Sequence, residues 1–183
     1  MPPTRLNIGC GQKPLADAVN LDISATVSAD VVHDLNVTPW PFAADSFDEV
    51  HAYDVLEHVV DVIPVLEEIH RISKPGGVLY VTVPHFSSAN AFTDVTHRHW
   101  FGWNSFEPFS AMNELAHYSV ARFNRRHTRI SFHASLLNRV VFRAANCDPA
   151  SADAAPRSTP MPGFVRFTAM SPIASAMVVT TSK

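Results

Sequence analysis

Arg5-Leu6-Asn7-Ile8-Gly9-Cys10-Gly11, then Val19-Asn20-Leu21-Asp22, then Asp30-Val31-Val32-His33-Asp34-Leu35, decide the fold of this chain. Each stretch is a short apolar run of strand length that closes on glycine or on an acid. In an open parallel sheet, ligands bind beyond the carboxyl ends of the strands, and glycine there lets the backbone approach a ligand with no Cβ in the way. Asp22 stands at the next strand end, where a carboxylate can accept hydrogen bonds from the vicinal hydroxyls of a ribose, and Asp34 offers a second acceptor one strand further along the sheet. The dinucleotide fingerprint G-x-G-x-x-G is broken, because Pro14 occupies the place of the third glycine, which counts against NAD or FAD.

Phe47 to Tyr53 and Gly77 to Val83 read as the fourth and fifth strands, with a helix between them. Asp61 is its expected cap and Pro64 lies in its first turn; Val62, Val65, Leu66, Ile69 and Ile72 recur at helical spacing before Lys74-Pro75-Gly76-Gly77. Alternating strands and helical signals predict a mostly parallel α/β sheet with crossovers. Only ten residues, Gly9 to Ala18, join the first two strands, too few for a full crossover helix, and no N-terminal helix is expected before Arg5. After Pro84 comes a long loop rich in His and aromatic residues, running to about Trp103. Asn104 and Glu107 resemble a capping box for a helix to about His117, and Thr128 to Ser135 reads as a strand. Arg125, Arg126 and Arg129 are expected on a solvated face or against carboxylates. Residues 144–172, rich in Ala, Ser and Pro, form an expected insertion, and Ala176 to Thr181 an antiparallel closing strand at a sheet edge.

The 183 residues fit one domain, divided into a ligand-binding half (5–83), a loop, helix and strand (84–143), the insertion (144–172) and the closing strand (173–183). Lys and Arg number 14 against 17 Asp and Glu, a formal charge of −3 with no basic cluster, so a nucleic-acid partner is not expected. No apolar run approaches the roughly 20 residues of a membrane helix, so no membrane partner is expected either. Cys10 and Cys147 form neither a metal pair nor a disulfide framework, which suits the cytoplasm. Charged residues are only 17% of the chain, and ten His with many aromatics fill part of that gap.

Leu6 to Gly11, Asn20-Leu21-Asp22, Asp34-Leu35, Trp40 to Val50, Val55-Leu56-Glu57-His58 and Ser73 to Gly77, in this order, resemble the successive motifs of class I S-adenosylmethionine-dependent methyltransferases, in particular the small type 11-like domain proteins. The resemblance covers about residues 5–107 and implies a Rossmann-like sheet with helices on both faces. It further implies that Gly9, Cys10 and Gly11 lie along the methionine part of S-adenosylmethionine, that Asp22 holds the ribose, and that Asp34 and Leu35 flank adenine. Tyr53 would stand near the methionine amino group, with Asn7, Ile23 and Asp54 bordering the same site. Leu56-Glu57-His58 would be a structural turn into the next helix.

Methyl transfer from a sulfonium depends mainly on in-line positioning, so neither a metal nor, for an unprotonated nucleophile, a base is obligatory. Where a base is needed, His85, His97 and Asp94 are the catalytic candidates, because imidazole switches between donor and acceptor near neutrality. The segment Asp94-Val95-Thr96-His97-Arg98-His99-Trp100-Phe101 resembles an Asp-x-x-His stretch of related proteins, with His99, Trp100 and Phe101 as substrate contacts. Trp40, Phe92, Trp103 and Phe106 are further candidate walls of an apolar pocket. The His and Asp spacing matches no firm metal signature, and no metal is expected. The expected partner is a small-molecule acceptor, at an open cofactor site closed either by the His-rich loop or by a second subunit of a homo-oligomer. Two alternatives remain open: a nucleotide-dependent Rossmann enzyme, and a degenerate methyltransferase fold acting as a non-catalytic scaffold.

Overall fold

The computed structural model describes residues 4–110, 113–131 and 174–181. Seven strands form one sheet: β1 (Arg5–Ile8), β2 (Val19–Asp22), β3 (Val31–Val32), β4 (Phe47–Tyr53), β5 (Ser73–Pro84), β6 (Phe123–Ser131) and β7 (Ala174–Thr181). Their spatial order is β3-β2-β1-β4-β5-β7-β6. The first five run parallel, and β7 is antiparallel to both of its neighbours. The order reverses between β1 and β4, so a crevice opens at their carboxyl ends.

Alternation along the strands places Leu6, Ile8, Val50, Ala52, Leu79 and Val81 on one face, all buried in the core. Helix α1 (Val62–Ile72) covers that face with Val65, Leu66, Ile69 and Ile72. The cap is as expected: Asp61 accepts a hydrogen bond from the Ile63 N–H at 2.9 Å. At the other end the Ser73 hydroxyl donates to the Ile69 carbonyl at 2.6 Å. The opposite face carries Arg5, Glu49, His51, Tyr53 and Tyr80, where Arg5 pairs with Glu49 at 2.9 Å and His51 stacks on Tyr80.

Beneath α1, Glu68 accepts from the Trp40 backbone N–H at 2.8 Å and from Arg71 at two points. Arg71 holds the Glu68 carboxyl below the usual carboxylate range. The Trp40 indole N–H bonds to the Leu35 carbonyl at 3.1 Å. Trp40 is therefore core, 2% exposed, and not a pocket wall.

The first crossover, residues 9–18, contains turns and no helix. The side-chain amide of Asn20 explains how so short a link is held: it accepts from Leu15 N–H at 2.8 Å and donates to the Leu15 carbonyl at 3.1 Å, as a neighbouring strand would.

Three expectations are corrected. The helix from Asn104 to His117 is replaced by two short 3-10 turns, Glu107–Phe109 and Glu114–Tyr118. Pro108 removes a backbone donor, and Glu107 pairs with Arg125 at 2.9 Å instead of completing a capping box. The strand expected at 128–135 begins earlier, at Phe123, because β6 is an edge strand whose exposed charges and bulge between Arg125 and His127 hide its alternation. The closing strand is antiparallel but lies inside the sheet, between β5 and β6. The insertion 144–172, Cys147 and residues 132–143 lie outside the described residues. Among the described residues no helix is long and apolar enough to cross a membrane.

Candidate active site

The turn after β1 is built on two left-handed glycines, Gly9 at φ +62° and Gly11 at φ +50°. Gly9 lies against Val55, on the segment after β4, too closely for any side chain, whereas Gly11 faces open space. Asp22, at the end of β2, binds this turn. Its Oδ2 accepts from Gly11 N–H at 2.8 Å and its Oδ1 from Ser24 N–H at 2.9 Å. Each carboxylate oxygen has two lone pairs, so one on each remains for a ligand hydroxyl.

The other expected cofactor residues take distinct places. Asn7 is 2% exposed, and its amide donates to Asn20 Oδ1 at 3.0 Å, so it braces the turn from below. Cys10 is buried, and burial pushes its thiol pKa up. Ile23 is exposed just past β2, and Leu35 is buried beside Asp34. Asp34 Oδ1 accepts from both the backbone and the side-chain N–H groups of Asn36.

At the end of β4, the Tyr53 hydroxyl is engaged by His51 Nδ1 at 2.8 Å, and burial pushes its pKa up to about 12. Asp54 adopts φ +51°, an uncommon conformation for a non-glycine residue. Its N–H bonds to the Thr82 carbonyl at 2.8 Å and its Oδ1 accepts from the Thr82 hydroxyl at 3.2 Å, which fixes this conformation from β5. Asp54 reaches solvent, but the protein around it pushes its carboxyl upward, against the pull of Thr82, Lys13, His58 and His97. Glu57 follows, 1% exposed, with Oε2 lacking any hydrogen-bond partner. Burial pushes its carboxyl up to about 8, and the nearby Asp54 and Asp94 act in the same direction.

The loop after β5 is laid across this segment. Arg98 and His99 N–H groups donate to the Glu57 carbonyl at 2.7 and 3.3 Å, and His99 Nε2 donates to the Val59 carbonyl at 2.9 Å. His99 thus ties this loop to the segment between β4 and α1. Asp94 is exposed and accepts from the Thr96 N–H and hydroxyl at 2.8 and 2.7 Å, which holds its carboxyl below the usual range. His97 is half-buried, its Nδ1 on the Ala91 carbonyl at 3.1 Å and its ring edge-on to His58. His85 is buried, with Nδ1 accepting from Ser87 N–H at 3.3 Å. Burial lowers its pKa, and in the neutral ring the N–H donated into Nδ1 leaves the proton on Nε2. Trp100 is half-exposed and stacks on Phe92. Phe101 is instead core, 5% exposed and stacked on Phe106.

Trp103 and Phe106 also leave the expected pocket. Together with Leu66 of α1, Leu79 in the middle of β5, Phe109 and Phe123 they line an apolar hollow. The sequence reading missed the assembly of Glu57, His58 and His97, whose donor atoms lie within 4.8 Å of one another. Glu57-His58 and Asp94-x-x-His97 are visible separately in the sequence, but nothing in it joins them.

Comparison with known proteins agrees with this geometry. Residues 3–152 match the family model described as a methyltransferase domain. No curated protein matches the chain by sequence. Among solved structures, an S-adenosylmethionine-dependent methyltransferase from Archaeoglobus fulgidus superposes with TM-score 0.59 at 15% identity, covering 97% of this chain and 86% of that one. One from Methanosarcina mazei gives TM-score 0.58 at 13% identity, over 98% and 92% of the two chains. The [4+2]-cyclase SpnF is equally similar, with TM-score 0.58 at 14% identity over 98% and 75%, so likeness of fold alone does not decide the reaction.

Proposed function

Since the chain belongs to the methyltransferase-domain family and is a class I S-adenosylmethionine-dependent enzyme of that kind, we propose that it methylates a small-molecule acceptor bound between the glycine turn and the loop 85–101. The observation that carries this reading is the bond from Gly11 N–H to Asp22 Oδ2, which sets the glycine turn and the ribose-binding carboxylate in one rigid unit at the ends of β1 and β2.

The residues present fit the cofactor. Gly11 leaves open the space that a side chain would fill, and Asp22 keeps a lone pair on each oxygen for the ribose hydroxyls. Asp34 and the buried Leu35 suit the amine and face of adenine. When bound, S-adenosylmethionine supplies a methyl group activated by its sulfonium, transferable to an acceptor aligned with the sulfur–carbon bond.

The chain's own residues bind, orient and handle protons. His85, held as the Nε2–H tautomer, orients an acceptor by donating to it. His97 donates from Nδ1 to a carbonyl and so presents Nε2 as the lone pair that can take a proton from the acceptor. Asp94 acts through Thr96 as a positioning residue. The exposed Phe92–Trp100 stack and the absence of a net positive charge favour a small, partly apolar acceptor over a nucleic acid. The free thiol of Cys10 suits a cytoplasmic setting.

Thermal unfolding with and without millimolar S-adenosylhomocysteine tests the site. A ligand specific to the native state must raise the midpoint, and an unchanged midpoint would reject the reading.

A further inference from the structure

We propose that Glu57, His58 and His97 form a binding site for one divalent transition-metal ion of the zinc type, which clamps the loop after β5 onto the segment after β4. Each residue offers one ligand atom, and these atoms lie within 4.8 Å of one another.

The hydrogen bonds around the two rings determine which nitrogen is free. His97 Nδ1 lies 3.1 Å from the Ala91 carbonyl, which can only accept, so the proton is on Nδ1. His58 Nδ1 lies 2.8 Å from Thr96 Oγ1, whose own proton goes to Asp94 Oδ1 at 2.7 Å. Thr96 must therefore accept, and His58 also carries its proton on Nδ1. Both imidazoles are left with a lone pair on Nε2, the state that a metal ligand requires. Metal-bound histidines characteristically give their second N–H to a carbonyl or, directly or through a relay, to a carboxylate, and the Asp94–Thr96–His58 chain and the Ala91 carbonyl supply those partners.

Glu57 provides the independent sign of a ligand. It is 1% exposed and its Oε2 has no hydrogen-bond partner, an arrangement that costs free energy unless something else satisfies the oxygen. A cation between Glu57 and the two rings would do so. Two imidazoles with one carboxylate select zinc and its neighbours over magnesium or calcium, which prefer oxygen ligands, and three protein ligands leave a further position open. The backbone already joins the two segments through the Arg98 N–H to the Glu57 carbonyl at 2.7 Å, so the ligands are brought together before any ion arrives. With no ion bound, the same His97 lone pair serves as the base.

The test is titration of the chelator-stripped full chain with zinc chloride, followed by calorimetry, and with cobalt(II), followed by its visible d–d absorption. The expected result is one equivalent bound, with His58→Ala and His97→Ala each weakening affinity at least tenfold and abolishing the cobalt band. Thr96→Val, at an exposed position, should weaken binding about tenfold by removing the hydroxyl that orients His58. Absence of stoichiometric zinc binding by the folded wild-type chain would overturn the proposal. So would equal affinity in wild type and both histidine variants, because the chain has ten histidines and the ion would then sit among others. The thermal shift with S-adenosylhomocysteine, recorded on the same samples, reports the methyltransferase reading separately: zinc binding without that shift leaves the metal site standing and removes the cofactor site.

Discussion

Gly9 and Val55 are in such close contact that a Cβ on Gly9 would fall 2.3 Å from Val55 Cγ2 and 2.9 Å from Val55 Cβ. This contact locks the turn after β1 to the segment after β4, the two sides of the crevice.

Gly9→Ala should accordingly destabilise by more than about 2 kcal/mol, since it combines overpacking with a left-handed φ. Gly11→Ala, at φ +50° with nothing within 4 Å of its Cβ, should cost only about 1 kcal/mol while weakening S-adenosylhomocysteine binding. Urea unfolding measures both. Val55→Ala should partly rescue Gly9→Ala in a double-mutant cycle; additivity would show that the contact is not the cause.

Asp22→Ala removes the acceptor of two backbone N–H groups and the ribose acceptor together. It should lower stability by about 2 kcal/mol and abolish the thermal shift with S-adenosylhomocysteine. A variant that still shifts like wild type would displace the ribose site from Asp22.

Glu68→Ala should cost about 3 kcal/mol, because the buried Trp40 N–H loses its acceptor and Arg71 its counter-charge. Glu68→Gln, which retains an acceptor for Trp40, should cost less. Equal losses in urea unfolding would mean that charge, and not the Trp40 bond, matters.

Asp48 accepts from Lys74 Nζ at 2.8 Å and from Thr4, and these partners hold its pKa at about 2. Its unfolded value is about 3.9, so the folded pKa is depressed. The stabilisation is present above about pH 4 and is lost as pH falls toward 2. Stability measured by urea from pH 5 to pH 2 should fall less steeply in Asp48→Asn than in wild type, and the difference should shrink in high salt because the pair is partly exposed.

Local signals in the chain were sufficient for much of the frame. Strands β1 and β4 and the start and end of α1 follow from apolar periodicity, from Asp61 as a cap and from glycine after the first strand, all short-range effects. The order of Gly9, Gly11, Asp22 and Asp34 along the chain likewise places them at successive strand ends, because each strand end in a parallel sheet reaches the same edge. The start of β6 is hidden in the sequence because its charged residues serve an edge, and edge position depends on which strand pairs beside it.

Short-range signals in the chain were enough for a mostly parallel sheet, a first crossover too short for a full helix and the residues of the glycine turn. Long-range packing set the rest: Glu57 is buried with no hydrogen-bond partner for Oε2, His58 and His97 share its surroundings, Phe101 belongs to the core, and Trp103 lines a hollow beside Leu79 in the middle of β5. The division has a physical cause. Turns, caps and periodic faces are set by neighbours a few residues apart, whereas burial of the Glu57 carboxyl and the tautomer of the His58 ring depend on a loop delivered from some forty residues along the chain. Nothing in Leu56-Glu57-His58 discloses that the Thr96 hydroxyl and the Ala91 carbonyl will fix the protons on two imidazoles beside it.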